Sequence, residues 1–166
     1  MVEVLFIKME LKSVRSVVQR VESASVTIDG NMVAAIDRGV LVFLGVAKGD
    51  ERADAEYLLN KIINLRIFED DAGKMNRSLV EVPGEMLLVS QFTLLADTAK
   101  GRRPSFTDAE EPARARVLYD YFLKSASARI RRVAAGEFQA MMKVALINDG
   151  PVTMLIDSRK RLQDGE

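Results

Sequence analysis

Asn148-Asp149-Gly150-Pro151-Val152-Thr153 stands at the junction of two runs, residues 141–147 and 152–157, that each read as a β-strand. Proline donates no backbone hydrogen bond, so inside a sheet it is confined to edges, strand starts and bulges. The glycine before it lets another stretch of backbone come close, and an X-Pro bond is where a cis peptide costs least. Two readings follow. The hexapeptide is an ordinary turn between the last two strands, or it is a rigid corner that holds two carbonyl oxygens toward a ligand.

Working outward, residues 16–21 read as a strand. Residues 24–28 and 32–36 flank Asp29-Gly30-Asn31, a hairpin signal. Residues 40–47 are almost continuously apolar, as in a buried strand. Asp50 is placed to cap a helix over 51–65, in which Ala55, Leu58, Leu59, Ile62 and Leu65 recur at helical spacing. Residues 69–85 read as a loop, with Gly73-Lys74-Met75-Asn76 a turn that puts Gly73 at positive φ. Residues 86–95 resume as a strand. Pro112 opens a second helix that extends to about residue 132, with Ala113, Val117, Leu118, Tyr121 and Phe122 on its apolar stripe. Gly136 breaks the chain before the final strands. Strands outnumber helices and the hairpins are local, which predicts an α/β protein of the α+β kind. Its sheet is mixed and largely antiparallel, with two main helices.

The chain has 166 residues, enough for one domain with a sizeable core. Hydrophobic residues make up 48% and charged residues 29%, as in an ordinary globular protein. The 24 basic and 24 acidic residues cancel, so a nucleic-acid partner needs local basic patches instead of a global field. There is no cysteine and no histidine. Disulfides, thiol nucleophiles and Ser-His-Asp or Cys-His triads are thereby excluded, in one chain or in a homo-oligomer of it. The imidazole and thiolate zinc sites go with them. No metal and no cofactor are expected. No apolar run is long enough to span a membrane, and the apolar residues Val4, Leu5, Phe6 and Ile7 make too short a run for a signal peptide. A cytoplasmic protein without a membrane partner is expected. Residues 1–13 form an N-terminal extension or an added edge strand, with Met9 a second candidate start. Residues 14–157 form a single domain, and 158–166 a polar tail.

Three groups of residues bear chemistry. Ser90-Gln91-Phe92-Thr93 ends an apolar run, where its polar side chains either line a pocket at the edge of the sheet or satisfy local backbone groups. Neither Ser90 nor Thr93 has a visible base to activate it. Lys100, Arg102 and Arg103 form a compact cationic loop beside Pro104, suited to phosphates or simply solvated. Arg129, Arg131, Arg132, Arg159, Lys160 and Arg161 add charge. The contiguous Glu69, Asp70 and Asp71 read as a solvated turn, not a metal site.

Taken in order, these segments resemble the D-aminoacyl-tRNA deacylase family. The likeness runs through residues 13–21 and 24–26, Leu65-Arg66-Ile67-Phe68, Gly73-Lys74-Met75-Asn76, Ser90-Gln91-Phe92-Thr93-Leu94, residues 100–106 and Asn148-Asp149-Gly150-Pro151-Val152-Thr153. The segments beginning at Ser90 and Asn148 are its most specific parts. The resemblance implies a barrel-like deacylase fold and a homodimer with active sites at the subunit interface. It implies cleavage of the ester joining a D-amino acid, or glycine, to the terminal adenosine of tRNA. The Gly150-Pro151 bond would be cis, with its carbonyls entering the partner's pocket and leaving no room for an L side chain. Arg20 matches an arginine that holds this segment. Ser90, Gln91, Phe92 and Thr93 would surround the ester and adenosine, with Phe138 near the adenine. Lys100, Arg102, Arg103, Ala140 and Asn148 would contact substrate or tRNA. The chain departs from the family at Gln139, where Gly or Ala is usual.

The absence of histidine agrees with that chemistry, because an aminoacyl ester carries its own neighbouring ribose hydroxyl. If that hydroxyl assists, the protein needs only to position and polarise the ester, with backbone N–H groups near Phe92 and Thr93 as an oxyanion site. Two other readings remain at this level: an RNA-binding module without catalysis, and a small-ester hydrolase that uses Thr93.

Overall fold

A computed structural model describes residues 13–158 of the chain; the expected N-terminal extension up to residue 12 and the cations Arg159, Lys160 and Arg161 lie outside the described residues. The elements run β1 (Arg15–Ile28), β2 (Asn31–Ile36), β3 (Gly39–Gly45), α1 (Arg52–Asn64), β4 (Phe68–Glu69), β5 (Met75–Arg77) and β6 (Glu85–Ser90). A single 3-10 turn (Phe92–Leu95) follows, then α2 (Pro112–Ser127), β7 (Arg132–Ala135) and β8 (Lys143–Asp157). The main sheet has the order β2-β1-β3-β6-β7, with β8 added on β1, while β4 and β5 pair separately. β1 is antiparallel to β2, β3 and β8; β3–β6 and β6–β7 are parallel. β2 also packs on β6 and β7, so the sheet curls into a nearly closed barrel.

β3 explains its own apolar run. Val40, Val42 and Leu44 join Ala55, Leu58, Leu59 and Ile62 of α1 and Tyr119, Phe122 and Ala126 of α2. The alternate residue Leu41 joins Val21, Val26, Ile36, Leu87 and Val89 inside the barrel. A strand covered on both faces has no polar side to show. Gly39 starts it beside β6, where a Cβ would lie 1.8 Å from the Glu85 carbonyl oxygen.

The long strands change faces along their length. In β1, Val18 packs toward the helices, whereas Ala24 and Val26 pack inside the barrel. In β8, Val144 and Leu146 pack inside, whereas Val152, Met154 and Ile156 pack toward the helices. Each switch coincides with a register break in the β1–β8 ladder, between Gln19 and Val21 and between Val21 and Ser23. Bulges turn barrel corners in this way.

Several expected boundaries shift. Residues 16–28 form one strand, not two, and the two expected final strands are the single β8. Proline is tolerated there because, among the described residues, β8 pairs with β1 alone and the ladder skips the proline. Glu51, not Asp50, is the N-cap of α1, in a capping box with Asp54; the Asp50 carboxylate instead accepts the Ala47 N–H at 2.6 Å. α2 stops at Ser127, where the Ala128 N–H reaches back to the Lys124 and Ala126 carbonyls and the following turn buries Ile130. The expected loop 69–85 contains the β4–β5 hairpin. The Asp29-Gly30-Asn31 hairpin is observed, with Asp29 at φ 48° and Gly30 at φ 80°, and Gly73 has the expected positive φ of 73°.

Candidate active site

Gln19 pairs with Thr153 and Val21 with Asn148, so the four residues Asp149, Gly150, Pro151 and Val152 bulge opposite the single residue Arg20 and have no ladder partner on β1. The Gly150-Pro151 peptide is cis. Arg20 is buried, and its Nε donates to the Asp149 carbonyl at 2.8 Å while a terminal nitrogen donates to the Ile67 carbonyl at 2.6 Å. The Asp149 carboxylate lies 3.5 Å from the same Nε. On the other flank the Asn148 amide closes onto Val152 and Thr153. Gly150 has φ +146°, and a Cβ there would lie 2.8 Å from the Val152 nitrogen and 2.7 Å from the Val152 Cγ2. Gly150 and Pro151 are exposed. The bulge is thus anchored at both ends, with its middle turned to the outside.

Ser90 ends β6, and the Gln91 N–H bonds to the Leu44 carbonyl at 2.8 Å. The chain then leaves the sheet, so the expected strand over 86–95 stops at Ser90 and Phe92 opens the 3-10 turn. The cause lies in β3. The Gln91 carbonyl sits where a Cβ on Gly45 would meet it at 2.8 Å, and it accepts the Leu94 N–H at 3.2 Å. Gln91 Nε2 donates to the Thr93 hydroxyl. Phe92 is 58% exposed yet stacks edge-to-face on Phe106, with ring centroids 5.1 Å apart. An exposed aromatic pair at the end of a strand is a ready surface for a flat ligand.

The ladders fix how far these two features lie apart in one protomer. Arg20 pairs with Val40 and Val40 with Met86, whereas Ser16 pairs with Leu44 and Leu44 with Ser90. The corner's row is therefore four residues along the sheet from the row of Ser90. That offset is about 13 Å at the usual rise of a strand. It is also separated from Ser90 by the intervening β1 and β3.

Phe138 lies elsewhere again, 5.5 Å from the Tyr119 ring, with the Arg116 guanidinium 5.8 Å above it. With Asp120, Leu123 and Gly136 these residues line a cavity of about 250 Å³. Tyr119 donates to the Leu88 carbonyl at 3.2 Å, and burial, with the Asp120 charge, pushes its phenol up to about 12. It serves as a neutral donor there. Gln139 adopts φ 67° and the Ala140 N–H bonds to Glu137, so residues 137–140 form a turn beside the cavity. Lys100, Arg102 and Arg103 are all exposed at the tip of a loop pinned by paired Asp97 and Ser105 backbone bonds of 2.7 and 2.9 Å.

Comparison with known proteins places the chain. A family model described as D-Tyr-tRNA(Tyr) deacylase matches residues 17–157. The chain belongs to that family. It is 62% identical over 146 residues to the D-aminoacyl-tRNA deacylase of Syntrophus aciditrophicus (strain SB), covering 88% of this chain and 98% of that protein. It is 58% identical over 147 residues to that of Petrotoga mobilis (strain DSM 10674 / SJ95), with the same coverage. Among solved structures, one titled c-Myc DNA Unwinding Element Binding Protein superposes with a TM-score of 0.82 at 41% identity, covering 86% of this chain and 97% of that one. A probable eukaryotic D-amino acid tRNA deacylase, at 19% identity and TM-score 0.75 over 87% and 99% of the two chains, shares the fold. The barrel-like mixed sheet with two helices is thus the deacylase fold.

Within this deacylase-family protein, Arg20 and the Gly150–Pro151 corner come together, as do Gln91 with Thr93. The corner, the Ser90–Thr93 segment and the Phe138 cavity are held by different elements of one protomer. Two partners were not singled out in the sequence: Phe106, which closes on Phe92, and the Ile67 carbonyl under Arg20. Phe106 closes the segment at 100–106, and an aromatic at the end of a basic loop was a usable signal. A backbone acceptor leaves no trace in a sequence. No group of three or more acidic side chains able to hold a metal occurs among the described residues, and no described helix is long and apolar enough to cross a membrane.

Proposed function

We propose that this protein hydrolyses the ester that joins a D-amino acid, or a mischarged glycine, to the 3′-terminal adenosine of tRNA, as a homodimer whose pockets lie between subunits. The observation that carries this reading is the outward corner. A stiff run of main chain, anchored by Arg20 and Asn148, presents Gly150 and Pro151 away from its own barrel. It lies about 13 Å along the strands from the Ser90–Thr93 segment of the same chain. A second copy related by a two-fold axis brings the corner of one protomer to the Phe92–Phe106 surface of the other. Leu155, 82% exposed on β8 beside the half-buried Val17 of β1, supplies apolar surface for that contact.

In the assembled pocket the corner's carbonyls wall off the space of an L side chain. Shape exclusion of this kind rejects every L residue whatever its chemistry, whereas side-chain preference in an apolar pocket gives only about 1–3 kcal/mol per methylene. The same wall admits glycine. The Thr93 hydroxyl is held by the Gln91 amide, which is no base, so the ribose hydroxyl of the substrate assists the attack, and the Phe92 and Thr93 N–H groups, at the open start of a 3-10 turn, stabilise the oxyanion. Lys100, Arg102 and Arg103 hold tRNA phosphates, and the Phe138 cavity takes the adenine end. The one-domain boundary at 14–157 belongs to this proposal. Parallel assays with D-tyrosyl-tRNA, L-tyrosyl-tRNA and a free D-tyrosine ester test it. Cleavage of the first alone is expected. Binding without cleavage would make the protein an RNA-binding module, and turnover of the free ester would make it a general esterase.

A further inference from the structure

Three of the four hydrogen-bonding positions of the Asn148 side chain are turned back on its own strand. Its Oδ1 accepts the Val152 N–H at 2.7 Å, and its Nδ2 donates to the Val152 carbonyl and the Thr153 hydroxyl, both at 3.1 Å. One planar amide therefore pairs with both the N–H and the C=O of one residue, as a neighbouring strand would. Val152 lies in the stretch that β1 leaves unpaired. Arg20 takes the Asp149 carbonyl at the opposite end. Between these two clamps lie only Gly150 and Pro151.

We propose that Asn148 is a positioning residue for chiral selection: it replaces the missing β1 ladder and so fixes the direction in which the Gly150 and Pro151 carbonyls point. The amide orientation follows from its partners, because exchanging Oδ1 and Nδ2 would set donor against donor at Val152 and acceptor against acceptor at its carbonyl. The role also follows from position. Asn148 is the last β8 residue in register with β1 before the bulge, paired with Val21, and Thr153 is the first after it, paired with Gln19. A side chain that joins both edges of a bulge closes it into a ring. Removing the amide leaves Val152 without either bond and lets the carbonyls between the clamps swing. That opens room for an L side chain without moving the tRNA-binding loop.

The inference rests on the proposed deacylase reading, and the experiment separates the two. The wild-type protein, Asn148→Ala, Asn148→Asp and Thr153→Val are assayed on D-tyrosyl-tRNA and L-tyrosyl-tRNA, with KM and kcat measured separately and unfolding midpoints recorded. A wild-type protein that spares D-tyrosyl-tRNA refutes the reading itself. Given wild-type activity, Asn148→Ala is expected to lower the D/L ratio by roughly tenfold or more with little change in KM. Asn148→Asp keeps an acceptor for the Val152 N–H but sets a carboxylate against the Val152 carbonyl, so it is expected to lose selectivity as well. Thr153→Val removes one of three bonds and should lose least. A wild-type D/L ratio in folded Asn148→Ala, or a rise in KM alone, overturns the proposal. Where the alanine variant does not fold, an unchanged ratio in Asn148→Asp does the same. Hydrogen exchange in the unmodified protein gives a readout that needs no variant: the Val152 amide is expected to be protected, and exchange at the rate of a free amide overturns the clamp.

Discussion

Arg20 joins two carbonyls that lie far apart in the chain: its guanidinium donates to Asp149, 129 residues later, and to Ile67, 47 residues later. The bulge in β8 and the chain entering the β4–β5 hairpin are thereby fastened to one buried cation. An arginine suits this place because its planar fork serves two acceptors at fixed angles, which an ammonium on a flexible stem does not.

Arg20→Ala leaves both carbonyls without that donor. Each charge-assisted bond removed is worth roughly 1.5–3 kcal/mol, so a lowered urea midpoint is expected together with reduced deacylation of D-tyrosyl-tRNA. Arg20→Lys should recover only part of each. A lysine variant equal to wild type in both would show that charge alone is what the site needs.

Gly150→Ala places a methyl group against Val152, and Phe92→Ala removes the exposed ring of the Phe92–Phe106 pair. If the pocket is shared between two subunits as proposed, each variant alone is expected to be inactive or nearly so. Unfolding and refolding a mixture of the two should restore activity, because half of the sites in mixed dimers then join an intact corner to an intact Phe92. No recovery, with mixed dimers demonstrated by mass, would place both features in a single-protomer pocket.

If the substrate's ribose hydroxyl does the work of a base, tRNA ending in 2′-deoxyadenosine should be cleaved at least a hundredfold more slowly, within the range that positioned proton transfer contributes. Thr93→Ala should keep much of the wild-type rate on normal substrate. Fast cleavage of the deoxy substrate, or complete loss in Thr93→Ala with tRNA binding intact, would restore Thr93 as nucleophile.

Replacing Lys100, Arg102 or Arg103 by alanine should weaken tRNA binding in a salt-dependent way. Every phosphate that is no longer neutralised by a side chain is expected to reduce the slope of log affinity against log salt by about 0.7–0.9. The D/L ratio should not change, since these cations carry no information about handedness. A slope equal to wild type in all three variants would free the loop from RNA binding.

Asp50 is nearly inaccessible, and burial pushes its carboxyl up to about 7, assisted by the Asp54 and Asp157 charges and opposed by the Ala47 and Val14 N–H groups. Unfolded, it titrates near 3.8. The folded protein therefore holds this proton more tightly, so its stabilising effect is complete below the unfolded value and is lost as the pH rises through about 7. Asp50→Asn, which keeps an acceptor for the Ala47 N–H, should flatten the fall in stability across that range. Urea midpoints measured from mildly acidic to mildly alkaline buffer would show it, and parallel profiles for the two proteins would contradict it.

The elements most legible in the sequence were those with a repeated local signal. The stripe from Ala55 to Ile62 marked α1, Asp29-Gly30 marked its hairpin, and the unbroken run at 40–45 marked the doubly covered β3. The errors have two causes: the strand boundaries were decided by partners distant in sequence, and the helix ends by local bonds that residue type alone does not rank. Gly45 and Leu44 turn the chain at Gln91, so residues 92–95 leave the sheet despite their apolar character. The β1 ladder carries β8 straight past its proline, so what reads locally as a turn is a bulge in one strand. Asp50 looked like a cap because its type and place fitted, yet Glu51 and Asp54 satisfy the helix while Asp50 is buried. At the site, the residue types were legible but their division of labour was not. Only the folded chain turns Asn148 inward and sets Ser90 four residues along the sheet from the row of Arg20.

β8 is 15 residues long and pairs with β1 alone among the described residues. An edge of that length is a template on which a foreign strand can stack and begin a fibre. The bulge divides it into two short pieces facing different ways, and Pro151 has no N–H to offer between them. The proposed stereochemical gate thus also guards the chain against edge-to-edge polymerisation, so variants that straighten it carry an aggregation risk apart from any loss of catalysis.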